Sequence, residues 1–468
     1  MFKTEIDAPK HIDLGGKLTG LSLNQQILAL ALWPFLQNIL GVTVSFVDRV
    51  IAGNITQGAE QSAMMDMMGL VMYMGWLMMI MQGAIATGAQ ALVARAFGAR
   101  NYKLANEAVG QSFTLGIVTG VMSGALLWLM TPMLGQFFGL NETAQGFLNT
   151  YISIIAFSAP LSGIIFVLNA CFRGAGDTWT PFFAMVVVNA INGIMSYVLA
   201  VHLGFGIAGV AYGTVIGWSV GVLITVWRLF PKNATEYSIV LKRKWLKWNY
   251  AISRRIIRVG VPQLIEILGM WAIHAYGIKL ITQIGSSDDG LIGSHGLAIQ
   301  VESLSFMPGF ALGTAASTLA GQYLGAGSKE MAMKSVQACW RIAVVLMGSM
   351  GIIIYFSAEG LIGLMSPGGG IQAERAISLV MIVAMAQPFF ATAMVMKMSM
   401  RGSGATGTVM FYSYSIMLIF RVALLTVMVN YFGADLKMIW YIMTLDIAVQ
   451  AVTFVIVHFR GKWTEAVV

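Results

Sequence analysis

Charge is what this sequence has least of. Only 10% of its 468 residues are Asp, Glu, Lys or Arg, where a soluble domain carries about 25%. A chain so poor in charge cannot cover a water-facing surface, which excludes the several soluble domains that its length would otherwise suggest. Cysteine is nearly absent as well. Cys171 and Cys339 stand far apart and form neither a CxxC pair nor a metal-ligand spacing, so a disulfide scaffold, a thiol redox motif and a zinc site are all excluded. The N-terminal stretch has no apolar run before residue 27 and therefore does not read as a cleavable signal. The first spanning helix is expected to direct insertion. What abounds is apolar: 57% of residues are hydrophobic and mean hydropathy is +0.77. Lipid is the main solvent of this chain.

A helix needs about 20 apolar residues to cross a hydrocarbon core of about 30 Å. Twelve stretches qualify, near 25–52, 64–88, 105–131, 144–170, 180–202, 207–230, 254–283, 293–318, 331–357, 374–400, 405–431 and 436–459. None shows the apolar–polar alternation of a membrane barrel strand. The predicted fold is an all-α polytopic membrane protein with twelve transmembrane helices. Of the 28 Lys and Arg, 23 fall in the termini and the even-numbered connections; the others are Arg49, Lys279, Arg375, Arg421 and Lys437. The positive-inside rule then places both termini in the cytoplasm, with the chain multi-pass in the cell (inner) membrane. The net charge of +8 is thereby topological and calls for no nucleic acid.

The second half repeats the first. GAQALVARAFGARN (88–101) returns as TAASTLAGQYLGAGS (314–328), with the pair Gly98-Ala99 recurring as Gly325-Ala326. ACFRGAGDTWTP (170–181) returns as SMRGSGATGTVM (399–410), with Arg173 recurring as Arg401, and Pro34 recurs as Pro262 at the same spacing. Six spans separate each pair, so the copies are parallel six-helix repeats of the kind that in carriers pack around a central cleft. The expected organisation is a cytoplasmic segment 1–24, a bundle 25–230, a basic linker 231–253, a second bundle 254–459 and a tail 460–468. The linker either lies on anionic headgroups with Trp245 and Trp248 as interfacial anchors or is plainly solvated.

Ionisable residues at membrane depth are functional candidates by default. Asp48 stands out in VTVSFVDRVIAGN, either as a coupling-ion carboxylate or as a structural pair with Arg49. A hard cation needs several oxygens, and Asn192, Ser196 and Thr214 are candidates to supply them; Asn189 and Asn192 serve equally as helix-packing hydrogen bonders. The second half offers Glu266, Glu302 and Lys397, with His274, Arg421 and Asp446 as further polar positions. A buried charge demands a partner, so Lys397 is expected to pair with Glu266 or Glu302. Trp76, Met270, Trp271, Phe166 and Phe306 are candidates to line an adaptable apolar cleft. RGAGDT (173–178) is no phosphate cradle, lacking a preceding strand and a lysine. Asp288-Asp289 has no further carboxylates near it to make a metal site.

The motifs FVDRVIAG, GAQALVARAFGARN, FRGAGDTWTP and AIQVESLSFMPGFALGTAASTLAGQYLGAG occur in order along nearly the whole chain. They resemble the multidrug and toxin extrusion (MATE) family. The resemblance implies the MATE/MOP-type fold and an antiporter that expels small organic, often cationic, compounds in exchange for H⁺ or Na⁺. It implies no enzyme activity and no cofactor beyond the coupling ion. Carried over by position, Asp48 matches the family's first-span carboxylate, Asn192 its fifth-span asparagine and Thr214 its sixth-span threonine. Ser196 stands where some members have a second aspartate, which puts tight Na⁺ binding at Asp48, Asn192 and Thr214 in doubt. Met270 replaces a seventh-span glutamate of other branches, with Glu266 one turn earlier, and Phe390 stands at their tenth-span aspartate. The coupling site is therefore expected in the amino-terminal half. Glu266, Met270, Glu302, Lys397 and Trp76 are left to the substrate cleft, and the carrier is expected to work as a monomer in the bilayer. The alternative within the wider architecture is a flippase for lipid-linked oligosaccharides or lipids.

Overall fold

A computed structural model describes residues 14–230, 239–285 and 290–468; the side chains of residues 42–46, 49, 54, 59 and 304 are not among those described. Arg49 as a partner for Asp48, the Asp288-Asp289 pair, most of segment 1–24 and the first part of the linker thus lie outside it. The described chain is helical, with no strand among the described residues. Twelve long helices follow one another: α1 Leu23–Ile55, α2 Ala59–Gly98, α3 Tyr102–Phe137, α4 Glu142–Gly174, α5 Trp179–His202, α6 Gly206–Arg228, α7 Tyr250–Gln283, α8 Leu291–Gly325, α9 Lys329–Met365, α10 Ile371–Gly402, α11 Thr406–Phe432 and α12 Leu436–Arg460. Ten of them have the length and apolarity of a membrane span. Helices α1 and α8, at 33 and 35 residues, complete the twelve.

Polar caps, rather than the ends of apolar runs, set several boundaries. Asn101, Asn141, Asn249, Ser328 and Asp435 each accept a first-turn backbone N–H, satisfying donors that a helix start leaves orphaned. Ser22 and Gln25 form a capping box at the start of α1. Helix α2 continues well past its expected end, to Gly98, because ALVARAF is buried between neighbours, and packing there sustains a helix that hydropathy alone would end.

The RGxG motifs are a turn device. Gly176 and Gly404, at equivalent repeat positions, have φ of +87° and +93°, a region costly for any residue with a Cβ. Gly174 and Gly402, two positions earlier, lie where a Cβ would overlap the backbone of Gln90 and Ser317. The motif therefore ends α4 and α10 and presses them against α2 and α8.

The described part of the linker is pinned to α3. Gln111 Nε2 donates to the carbonyls of Trp245 and Lys247, both at 2.8 Å, while its Oε1 accepts from Asn249 N and Ser253 Oγ at 2.9 and 3.0 Å. Asn106 Oδ1 accepts from Val240 N at 2.7 Å. Trp248 is exposed, whereas Trp245 is half-buried with Lys242 and Lys244 over its ring. Buried hydrogen bonds, rather than a free amphipathic face, fix this segment.

The two halves meet along a polar seam at the face that carries most of the basic residues. Gln90 Nε2 reaches Ser317 Oγ and Thr318 Oγ1, both at 3.3 Å, residues that are its own counterparts in the repeat. Arg95 Nη2 donates to Ser403 O at 3.0 Å and Gln322 Nε2 to Gly174 O at 2.8 Å, while Tyr323 Oη donates to Gln26 Oε1 at 2.8 Å. These bonds join α1, α2 and α4 to α8 and its neighbours.

Two features escaped the sequence. Helix α5 closes in a π-helical turn at Val198–His202, and α11 carries one at Leu418–Leu424. Such insertions redirect side chains and often mark functional positions; the second brings Arg421 to Asp446.

Candidate functional site

Helix α1 rises about 37 Å from Leu23 to Asp48 at 1.5 Å per residue, which carries Asp48 away from the seam toward the opposite face. There the half-buried carboxylate meets α5 and α6. Asn192 and Ser196 are one turn apart and share a buried face. When the Asn192 amide points its nitrogen at α1, Nδ2 donates to Asp48 Oδ1 at 3.1 Å and its oxygen accepts from Thr214 Oγ1 at 3.0 Å and Thr214 N at 3.2 Å. In the opposite orientation Nδ2 donates to Thr214 Oγ1 at 3.0 Å and approaches Ser196 Oγ at 3.5 Å. The oxygen then faces the carboxyl and the nitrogen faces Thr214 N, so the first orientation is the one that satisfies the site.

Thr214 Oγ1 also lies 3.2 Å from Val210 O, and its single proton serves one acceptor at a time. Ser196 is fully buried, and its Oγ donates to Val210 O at 3.3 Å. Gly213 packs directly on it. Ser196 therefore ties α5 to α6 and sends no oxygen to Asp48. The structure brings Asp48, Asn192 and Thr214 together and holds Ser196 behind them.

Tyr151 of α4 belongs to the same cluster and is absent from the sequence-derived set. It is buried beside Thr214 and within electrostatic reach of Asp48. A lone phenol in the apolar run TYISIIAF was the available signal, since a tyrosine hydroxyl at membrane depth needs a partner. Met64, Met67, Ile152, Val210 and Ala211 pack into the apolar core around this site.

The carboxy-terminal half arranges its charges differently from expectation. Glu266 pairs with Arg401, Nη2 to Oε1 at 2.8 Å, one turn along α10 from Lys397. Lys397 instead donates to Gln450 Oε1 at 2.9 Å and lies over the Phe454 ring, forming no direct ion pair with Glu266 or Glu302. Arg401 projects toward α7 and claims the Glu266 carboxylate first. Gln450 in turn donates to Asp446, one turn away, at 3.1 Å, and Asp446 holds Arg421 at 2.6 Å. Lys397, Gln450, Asp446 and Arg421 form one buried chain. Of the residues expected to line a cleft, Met270 is 43% and Trp76 48% exposed. Trp76 of α2 meets Trp271 of α7 edge-on at 5.5 Å, an aromatic contact between the halves. Glu302 is half-buried on α8, within the field of Arg421.

Among the described residues no three His, Cys, Asp or Glu side chains converge as metal ligands. The Asp48 carboxylate accepts from the Asn192 amide nitrogen. A hard cation would require several converging oxygens, six or more for Ca²⁺.

Comparison with known proteins agrees with this architecture. The family model described as MatE matches twice, over residues 34–198 and 262–432, once in each repeat. A probable multidrug resistance protein NorM of Thermotoga maritima is 28% identical over 452 residues, covering 95% of this chain and 94% of that protein. A probable multidrug resistance protein YoeA of Bacillus subtilis is 26% identical over 327 residues, covering 68% and 69%. Among solved structures, a MATE in the bent conformation superposes with a TM-score of 0.86 at 19% identity, covering 95% of this chain and 96% of that one. An outward-facing multidrug resistance MATE family transporter of the MOP superfamily superposes at 0.85 and 19% identity, covering 96% and 98%.

Proposed function

From the premise that this chain belongs to the MatE family, whose model covers both of its halves, we propose that it is a cation-coupled antiporter exporting organic, mainly cationic, drug-like compounds by alternating access. The observation that carries the proposal is the Asp48–Asn192–Thr214 chain, which joins a carboxyl group at membrane depth on α1 to α5 and α6. The names of the relatives, multidrug resistance proteins, support the substrate class. Proton coupling is favoured over Na⁺ by the amide nitrogen that faces the carboxylate and by the engagement of Ser196 with α6.

The basic face is the cytoplasmic one by the positive-inside rule. Its hydrogen-bonded seam then holds this conformation closed to the cytoplasm, with Asp48 on the side reached from outside. A proton arriving there neutralises Asp48 and weakens the charge-assisted hydrogen bond from Asn192 Nδ2. Contacts between α1 and the α5–α6 pair change, and a cationic compound loses the charge that attracted it. A coupling ion drives such a cycle only through its differential affinity for the two states.

The flippase alternative is disfavoured because Lys397, Arg401 and Arg421 are each already engaged by groups of the protein, rather than free to hold a diphosphate. Export of a fluorescent organic cation by wild type and Asp48→Asn, each verified in the membrane, tests the proposal. Wild type exports it and the variant does not; equal export by both removes Asp48 from the mechanism.

A further inference from the structure

The two RGxG turns are each covered by a residue from a segment outside the twelve helices. The first side chain that a Cβ at Gly176 would meet is Leu18, at 3.3 Å, and at the repeat counterpart Gly404 a Cβ would overlap Val468. Leu18 closes a 3₁₀ turn, Gly16–Leu18, ahead of α1, and Val468 follows another, Lys462–Glu465, after α12. Each of these segments joins one half to the other. Leu14 and Leu18 are fully buried in a core whose other members include Leu319 and Tyr323 of α8, Val336 of α9 and Met400 of α10. The same segment is tied back to the first half: Lys17 Nζ meets Asp177 Oδ1 at 2.8 Å, and Gly16, left-handed at φ +79°, lies against the Phe97 ring. Residues 461–468 make the reverse crossing. Trp463 is buried in that second-half core, stacks on His458 with centroids 5.3 Å apart, and donates from Nε1 to His458 O at 3.0 Å. Val468 instead belongs to the core that α2, α3 and α4 form with the start of α7, where Arg255 Nε donates to its carbonyl at 2.8 Å. Ser403 links this segment to the seam, donating from Oγ to Trp463 O at 3.3 Å while its own carbonyl accepts from Arg95.

We infer that residues 14–22 and 461–468 are paired straps, seated on the two RGxG turns, that tie the halves together at the basic face and must leave before the protein can open there. Short segments with no helix of their own bury Leu14, Leu18, Trp463 and Val468 only because both halves supply the walls. Separation of the halves strips these side chains of part of their surroundings and returns apolar surface to water, which is unfavourable. The straps therefore make contacts in the closed state that the open state lacks, and such a difference is what shifts a two-state equilibrium. They act beside the glycine crossing and the seam hydrogen bonds rather than through them. The inference rests on the reading of the seam as the gate to the cytoplasm.

Alkylation of Ser317→Cys by a water-soluble maleimide, in the full protein with neither substrate nor ion gradient, reads opening at this face. Leu18→Ala and Trp463→Ala should each speed it at least fivefold, and the two together more than either alone. Lys17→Met unties the first strap from Asp177 without hollowing a core, and should speed it at least twofold. Leu425→Cys, buried in α11 away from the seam, reports whether the bundle itself has loosened, and its labelling should not change with any strap variant. Ser317→Cys labelling that all three strap variants leave unchanged, or a parallel rise at Leu425→Cys, overturns the straps. Gly98→Leu, which alters neither strap, separates this failure from that of the gate reading. If it speeds labelling and the strap variants do not, the straps fall and the gate stands; if neither it nor they speed labelling, both fall.

Discussion

Gly98 of α2 and Gly325 of α8 occupy the same position in the two repeats and seal each other's helix: a Cβ on Gly98 would overlap the carbonyl of Gln322, and one on Gly325 the carbonyl of Arg95. Arg95 and Gln322 are themselves repeat counterparts, so the contact is reciprocal. Lacking side chains, the two glycines let the backbones of α2 and α8 touch where the halves meet. The side chains of Arg95 and Gln322 then reach past this crossing to Ser403 O and Gly174 O.

Replacing Gly98 or Gly325 with leucine should hold the seam open. Overpacking costs about 1–3 kcal/mol even where neighbours can shift, and here the obstacle is backbone. Ser317→Cys, buried in the seam, should be alkylated by a water-soluble maleimide at least tenfold faster when Gly98→Leu is added. Unchanged labelling contradicts the assignment of this crossing as a gate.

Asn192→Ala leaves Asp48 in place and removes the amide that donates to it. Export should fall at least tenfold while the Asp48 carboxyl band in infrared spectra survives. Loss of both would mean that Asn192 maintains the fold, and retention of both that the amide is idle.

Tyr151→Phe removes a hydroxyl beside Thr214 and Asp48. A single hydrogen bond contributes about 1 kcal/mol, so the expected effect is a fall in export of roughly fivefold, read as an initial rate at several external pH values.

Arg421→Ala strands Asp446, which is fully buried. Removing one partner of a buried pair costs about 3–5 kcal/mol, whereas replacing both with apolar residues is often neutral. Thermal unfolding in detergent should show a large drop for Arg421→Ala and recovery in Arg421→Met/Asp446→Leu.

Gln111→Ala removes four hydrogen bonds between α3 and the linker. Proteolysis after Lys242, Lys244 or Lys247 should accelerate severalfold, with export retained.

The helical class, the duplication and the residues of the first-half site were legible because each rests on a local signal. Apolar runs exceed a bilayer's thickness, motifs of the first half return in the second at a constant spacing, and Asp48 and Asn192 interrupt apolar stretches. What stayed hidden depends on how helices turn relative to one another. Lys397 and Arg401 lie one turn apart, and no pattern in the sequence says which of them reaches Glu266; the structure gives it to Arg401. Arg421 reaches Asp446 through a π-helical stretch that hydropathy does not register. Ser196 shares a face with Asn192, yet close packing on Gly213 turns its hydroxyl to the α6 backbone. Tyr151 comes from a fourth helix, and only assembly brings it beside Thr214 and within electrostatic reach of Asp48.

Proton movement driven by substrate tests the central claim most directly. Proteoliposomes in Na⁺-free buffer, holding a pH-sensitive dye, are given an organic cation on one side only. Wild type should move protons against the cation flux and Asp48→Asn should not; cation flux with no proton movement in wild type, or the same movement in both proteins, would contradict the account.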